Sequence, residues 1–223
     1  MSFFQVYQYA GPVVLLPLGF YLWYSRYGDA RLACLALSLP VLYAYVIPAL
    51  GTNWLRLWEF NTRLRLGRFR PHHGFVFGTA TSVLALATLP KLDAALTVAE
   101  LLRSAFVLGS VLAFWNWLYD AQAIKVGFIR IYTRSAHEGA DAEAVTAAYA
   151  PVLFGTFGAC YGVSLRMLES RLAIDGQWQS AWWLAIVCHL VCHVLPVLAY
   201  VVTSRFSIGE WGLHSYEGTS HEI

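Results

Sequence analysis

Apolar residues in this chain run in blocks too long and too unbroken for the half-buried faces of a soluble fold. Six segments, approximately Tyr9 to Tyr24, Leu32 to Leu50, Gly74 to Pro90, Ser104 to Ile124, Ala147 to Leu165 and Ala181 to Thr203, approach or reach the ~17 to 25 residues that a membrane-crossing helix requires. The first and third are short. The pattern predicts an all-α, polytopic integral membrane helix bundle of about six transmembrane helices, formed as a single domain over residues 1–223. No repeat, low-complexity tract or linker divides it. Between the second and third blocks, residues 54–70 mix aromatic and basic side chains as the headgroup boundary selects, which predicts an interfacial segment. From Arg63 to Arg70 basic and apolar residues nearly alternate, so an extended backbone suits that stretch as well as a helix. Residues 204–223 read as a short polar tail in which His214 and His221 are expected to be mobile.

Punctuation within the blocks adds detail. Prolines at 12, 17, 40, 48, 151 and 196 would break soluble helices, but in a bundle neighbouring helices satisfy the freed carbonyls, and the kinks can surround a cavity. Gly155, Gly158 and Gly162 mark one face of the fifth block as a close-packing surface.

Composition supports the class. Apolar residues make up 58% and charged residues 13%, against the quarter or so expected of a soluble domain. The formal net charge of +2 gives no reason to expect nucleic-acid binding. All four cysteines, Cys34, Cys160, Cys188 and Cys192, fall inside apolar blocks and read as small apolar residues rather than a disulfide framework. The opening block has neither a basic n-region nor a small-residue cleavage site, so it reads as a retained helix. Nine cations (Arg56, Arg63, Arg65, Arg68, Arg70, Lys125, Arg130, Arg134 and Arg205) fall on one side of the six-span plan, and six (Arg26, Arg31, Lys91, Arg103, Arg166 and Arg171) on the other. The positive-inside rule then puts both termini in the cytoplasm, N-in and C-in, as in a bacterial-type inner membrane.

Candidate chemistry centres on polar side chains that such a bundle must bury. His189 and His193 lie four apart in the last block, share a helical face and can ligate one metal ion, zinc or iron. Cys188 and Cys192 fall on a second face about 100° away and do not join them. Asp120 is the one carboxylate enclosed by a predicted span. His72 and His73, after Pro71, and Glu59, if its segment folds back, face the same half of the bundle as Asp120. A pocket using His189, His193 and His73 for metal and Asp120 and Glu59 for catalysis is the leading expectation. It would support metal-assisted hydrolysis or oxidation of an apolar lipid or isoprenoid entering from the bilayer.

Other readings compete with it. Asp120 can act without metal, as a protonated carboxylic acid in a terpene or isoprenoid cyclase or isomerase, with Trp115, Trp117 and Tyr119 stabilising a carbocation. Alternatively Asp120 pairs with Lys125, and Glu59 with Arg56 or Arg63. The 54–70 arginines can hold a lipid or prenyl diphosphate phosphate, or serve only as an anchor to anionic lipid. A non-catalytic regulator, or a haem-binding subunit using His189 or His193, is the third class. The final-block His189-x-x-x-His193 with an earlier membrane Asp120 resembles the metal site of the transmembrane hydrolases that include alkaline ceramidases and the adiponectin-receptor group. That resemblance covers those three positions and implies a zinc site; the family's seven-helix plan and early polar motif are not evident. The His-cluster pattern of membrane desaturases is likewise incomplete. No phosphate loop or dinucleotide fingerprint is present, which argues against nucleotide-driven transport.

Overall fold

A computed structural model describes residues 3–218. Helices occupy every one of the six apolar blocks. Helix α1 (Phe3–Ala10) runs through a π-helical turn (Gly11–Leu15) into α2 (Leu16–Tyr27). Helix α3 (Ala30–Pro48) continues as a π-helical stretch to Trp54, α4 spans His73–Thr88, and α5 spans Val98–Lys125. Two short helices, α6 (Arg134–His137) and α7 (Ala142–Ala147), lead into α8 (Ala150–Leu168), and α9 spans Ala181–Ile208. Four of these helical runs, Ala30–Trp54, Val98–Lys125, Ala142–Ile174 and Trp178–Ile208, are long and apolar enough to cross a membrane. At 16 residues α4 is about 24 Å long, shorter than a typical hydrocarbon core.

The outward side chains are themselves apolar. Phe106 on α5 and Phe206 on α9 are 76% and 87% exposed, and Leu190 and Leu198 share the open face of α9. A soluble helix would put charge there; this arrangement fits a lipid-facing surface.

Helices α5 and α8 are the most intimately packed pair. A Cβ on Gly158 would sit 2.5 Å from the Leu108 carbonyl oxygen, and one on Gly162 would sit 2.5 Å from that of Ser104. Only glycine lets the two backbones approach so closely. The small-residue face read from the sequence is therefore the contact surface of this pair.

Pro40 is compensated by a side chain. Pro40 cannot donate to the carbonyl of Ala36 four residues earlier, and the fully buried Tyr161 hydroxyl donates to that oxygen instead, at 3.0 Å. Close by, the Trp23 indole donates to Ser82 Oγ at 2.5 Å, so a polar thread joins α2, α4, α8 and α3 through the core.

The two ends of the bundle differ. At one end Arg166, 1% exposed, donates to Glu169 at 2.5 Å, to Ser104 Oγ at 2.8 Å and to the Pro90 carbonyl at 2.8 Å. Tyr27 donates to the same Glu169 at 3.0 Å, and Arg26 stands 3.7 Å from it. Nearby, Asp29 caps α3 by accepting from the backbone of Arg31 and Leu32, and its hydrogen bond to the Arg31 side chain leads the contacts that hold its carboxyl down at about 2.

At the other end a two-stranded antiparallel ribbon closes the bundle. Strand β1 (Trp58–Phe60) pairs with β2 (Ile129–Ile131), with Trp58 opposite Ile131 and Glu59 opposite Arg130. Strand β1 precedes the Arg63 to Arg70 stretch whose backbone the sequence left open; that stretch is not helical and is folded on itself by an isolated Leu66–Phe69 bridge. Residues 215–217 of the tail are fastened across this ribbon. Tyr216 N donates to the Tyr132 carbonyl at 2.8 Å, Ser215 Oγ to the Arg56 carbonyl at 2.7 Å, and Arg68 to Glu217 at 2.6 Å. His214 packs edge-on against Tyr216, while His221 lies outside the described residues.

Gly158→Ala is expected to lower the thermal-unfolding midpoint in detergent, at a cost of about 1–3 kcal/mol, because backbone must move. Gly155→Ala, whose Cβ would rest 3.3 Å from Ala113 Cβ, should cost less. Arg166→Met removes the nearest counter-charge of Glu169, leaving it Tyr27 and Arg26, and should cost about 3 kcal/mol, with the Arg166→Met/Glu169→Leu double variant recovering part of it. Unfolding curves of the single and double variants check both expectations.

Candidate functional site

Between the ribbon and the centre of the bundle lies a cavity of about 180 Å³ walled by α3, α4, α5, α8, α9, the ribbon and Leu213 of the final segment. Strand pleating decides what the ribbon contributes. Side chains alternate across a strand, so Trp58 and Phe60 of β1, with Ile129 and Ile131 of β2, turn into the cavity. Glu59 and Arg130 occupy the opposite face. There the Tyr132 hydroxyl donates to Glu59 at 2.8 Å and Arg130 stands 3.6 Å from it. Burial, reinforced by the Glu59 carboxylate, pushes the Tyr132 hydroxyl up to about 12. The expected catalytic Glu59 is thereby placed outside the cavity, as a consequence of strand parity.

Asp120 does line the cavity. Its Oδ2 accepts a 2.8 Å hydrogen bond from the hydroxyl of Tyr149, the residue immediately before α8. The alternative partner Lys125 is engaged instead with Glu143. Asn116, one turn earlier on α5, faces the same space because residues four apart on a helix lie about 40° apart in azimuth. Its amide donates to the Leu112 carbonyl at 2.8 Å. Among the described residues the cavity wall contains no Arg, Lys or His.

Aromatic rings supply much of the remaining wall, but not the rings the sequence suggested. Tyr43 stacks on Phe157 at 3.8 Å between centroids, and Trp58, Phe77 and Phe154 complete the lining. Trp115 is 49% exposed on the outside of α5, and Trp117 turns toward the Glu143 carbonyl at 3.4 Å. Tyr119 packs among Phe4, Tyr7 and Phe77, away from the cavity. Neighbours in sequence diverge by 100° per residue, so rings beside Asp120 along the chain are not the rings beside it in space.

The histidines separate into two neighbourhoods. His189 Nε2 lies 3.2 Å from Ser38 Oγ at the seam of α9 with α3, and His193 Nδ1 donates to the His189 carbonyl at 2.7 Å. The two rings stand 5.8 Å apart, with His193 edge-on to Tyr43. Among the described residues His189 Nδ1 and His193 Nε2 have no hydrogen-bond partner. Cys192, buried on the adjoining face, lies 3.6 Å from Ser164 Oγ on α8, so the cysteines do turn elsewhere. His73, 1% exposed, sits instead in a box made by Phe60, Phe77 and His72, the last of which meets Gln8 at 3.3 Å. Among the described residues no three His, Cys, Asp or Glu side chains stand close enough to share a metal ion. The expected set of His189, His193 and His73 is therefore not gathered, and Asp120 does not join it as the resemblance to the transmembrane hydrolases implied.

The sequence reading missed Tyr149 and Tyr43. Tyr149 sits at the boundary of its block, and only its register just before a helix that packs against α5 brings it to Asp120. Asn116 carried a usable signal in its four-residue spacing from Asp120. No family model, curated protein or solved structure matches the chain.

Tyr149→Phe removes the one side-chain hydrogen bond that Asp120 makes among the described residues. It is expected to cost about 1–3 kcal/mol in a detergent unfolding experiment, whereas Glu59→Gln should leave ligand binding in the cavity unchanged.

Proposed function

We propose that this chain is an integral membrane enzyme that isomerises or cyclises an apolar, isoprenoid-like substrate by proton transfer from Asp120. The observation that carries the reading is one carboxyl group, hydrogen-bonded to Tyr149 at 2.8 Å, in the wall of a largely apolar and aromatic cavity with no cationic side chain. The metal-assisted alternative requires ligands to converge, and the candidate histidines occupy separate neighbourhoods.

Each group has a task in this chemistry. In its acid form Asp120 donates: its O–H bond breaks as a C–H bond forms at one alkene carbon, and positive charge develops on the neighbouring carbon. The faces of Tyr43, Trp58 and Phe157 lower the energy of that charge. The Tyr149 hydroxyl steadies the carboxylate left behind. Loss of a proton from an adjacent carbon back to Asp120 restores the acid, so the product is an isomer of the substrate and no oxidant or reductant is consumed.

The same proposal includes the membrane arrangement. All six apolar blocks cross the bilayer, and both termini are cytoplasmic. The connections holding Arg56, Arg63, Arg68, Arg130 and Arg134 meet at the ribbon end through the β1–β2 pairing and the Arg134–Glu210 and Arg68–Glu217 contacts, which supports that orientation. The cavity then lies in the cytoplasmic half, and its substrate arrives from the bilayer.

The test uses protein in nanodiscs supplied with acyclic polyenes in D₂O. The expected product carries one solvent-derived deuterium on carbon, its formation falls by about 10²-fold or more in Asp120→Asn, and a chelator has no effect. A product without carbon-bound deuterium, or turnover abolished by the chelator, would falsify the reading.

A further inference from the structure

Resting on the proposed role of the cavity, we infer that its ligand has no anionic head group: the substrate class is a neutral, unsaturated hydrocarbon or its alcohol, not a fatty acid, phospholipid or prenyl diphosphate. The charge pattern of the site is one-sided. Its wall holds the Asp120 carboxyl and, among the described residues, no arginine, lysine or histidine to balance a second negative group. A phosphate or carboxylate placed inside would lose its water without gaining a counter-ion, beside a group that becomes negative during the reaction.

Three of the arginines that could have served a head group are already committed. Arg70 is 3% exposed and donates to Thr62 Oγ1 and to the carbonyls of Arg68 and Phe60, so its guanidinium holds the loop together. Arg68 is paired with Glu217, and Arg130 lies on the outer face of the ribbon beside Glu59. The ribbon and Leu213 form part of the cavity wall, and the exposed Arg63 and Arg65 are not among the residues that line it. A positive centre meets the opposite conditions: the Asp120 carboxyl and the rings of Tyr43, Trp58 and Phe157 line the space around it. An apolar ammonium compound is then a stable stand-in for the charged species on the reaction path.

The experiment is isothermal titration of the full chain in detergent micelles, with protein-free micelles as the blank. The probes are N,N-dimethyldodecylamine, dodecanol, dodecanoate and farnesyl diphosphate. The amine is expected to bind at a single saturable site, at least about tenfold more tightly than either anion. Asp120→Asn should weaken the amine by about tenfold or more while keeping the wild-type circular-dichroism spectrum, which establishes that the variant is folded. Anion binding equal to that of the amine, or amine affinity indifferent to Asp120→Asn, overturns the inference. Should Asp120→Asn fail to fold, the ranking of amine against anions on the wild-type chain decides alone. Amine selectivity without deuterium transfer would support this inference and remove the enzymatic reading; deuterium transfer with tight diphosphate binding would do the reverse.

Discussion

The close approach of α5 and α8 is the constraint on which the rest of the structure depends. Where Gly158 and Gly162 lie against the carbonyls of Leu108 and Ser104, two backbones come within a distance that any side chain would forbid. The two ends of that seam carry the polar groups that matter. Beyond Gly162, Arg166 reaches across to Ser104 and Pro90; at the far end, Tyr149 meets Asp120. A helix pair locked in register along its glycines holds both contacts without needing either to do the packing. In a bundle surrounded by lipid, where apolar surface gains little by leaving one apolar medium for another, such contact at short range is the available source of cohesion.

Buried polarity elsewhere is matched between helices. Pro40 interrupts α3 beside the cavity, and Tyr161 satisfies the carbonyl it releases. The bend and its repair come from different helices, so the cavity wall is a tertiary product. The Arg166, Glu169 and Tyr27 contacts act similarly at the opposite end, where charge is tolerated because it is fully matched. Among the described residues the unpartnered buried atoms include nitrogens of His73, His189 and His193, in aromatic surroundings or at a helix seam, and the hydroxyl of Tyr43 in the cavity wall.

How much of this was legible in the sequence depended on the range of the interaction. Long apolar runs located the helices, because burial or lipid contact along a whole helix leaves an unmistakable composition. The ends were misjudged where a helix continues in polar clothing. Thr97 caps α5 and Glu100 pairs with Arg103, so the helix starts six residues ahead of Ser104. The glycine face of α8 was readable from spacing alone. The ribbon was not, since three-residue strands have no periodicity of their own and exist through pairing with a partner about seventy positions away. Glu59 was misplaced for the same reason: its direction is fixed by strand parity. Asp120 stood out as a carboxylate enclosed by apolar residues, whereas Tyr149 belonged to no pattern before α8 met α5. The His189 and His193 spacing put them on one face, but what faces them was a property of α3.

The ribbon also sets an order of assembly. Strand β1 is made before α4 and α5, yet the strand it pairs with, β2, follows α5, so during synthesis Trp58 and Phe60 must wait through roughly seventy further residues. Leu213 and the contacts of Tyr216 and Glu217 arrive later still, after α9. The cavity is therefore completed last: the chain commits its helices first and encloses the acid only when its final segment is fastened across the ribbon.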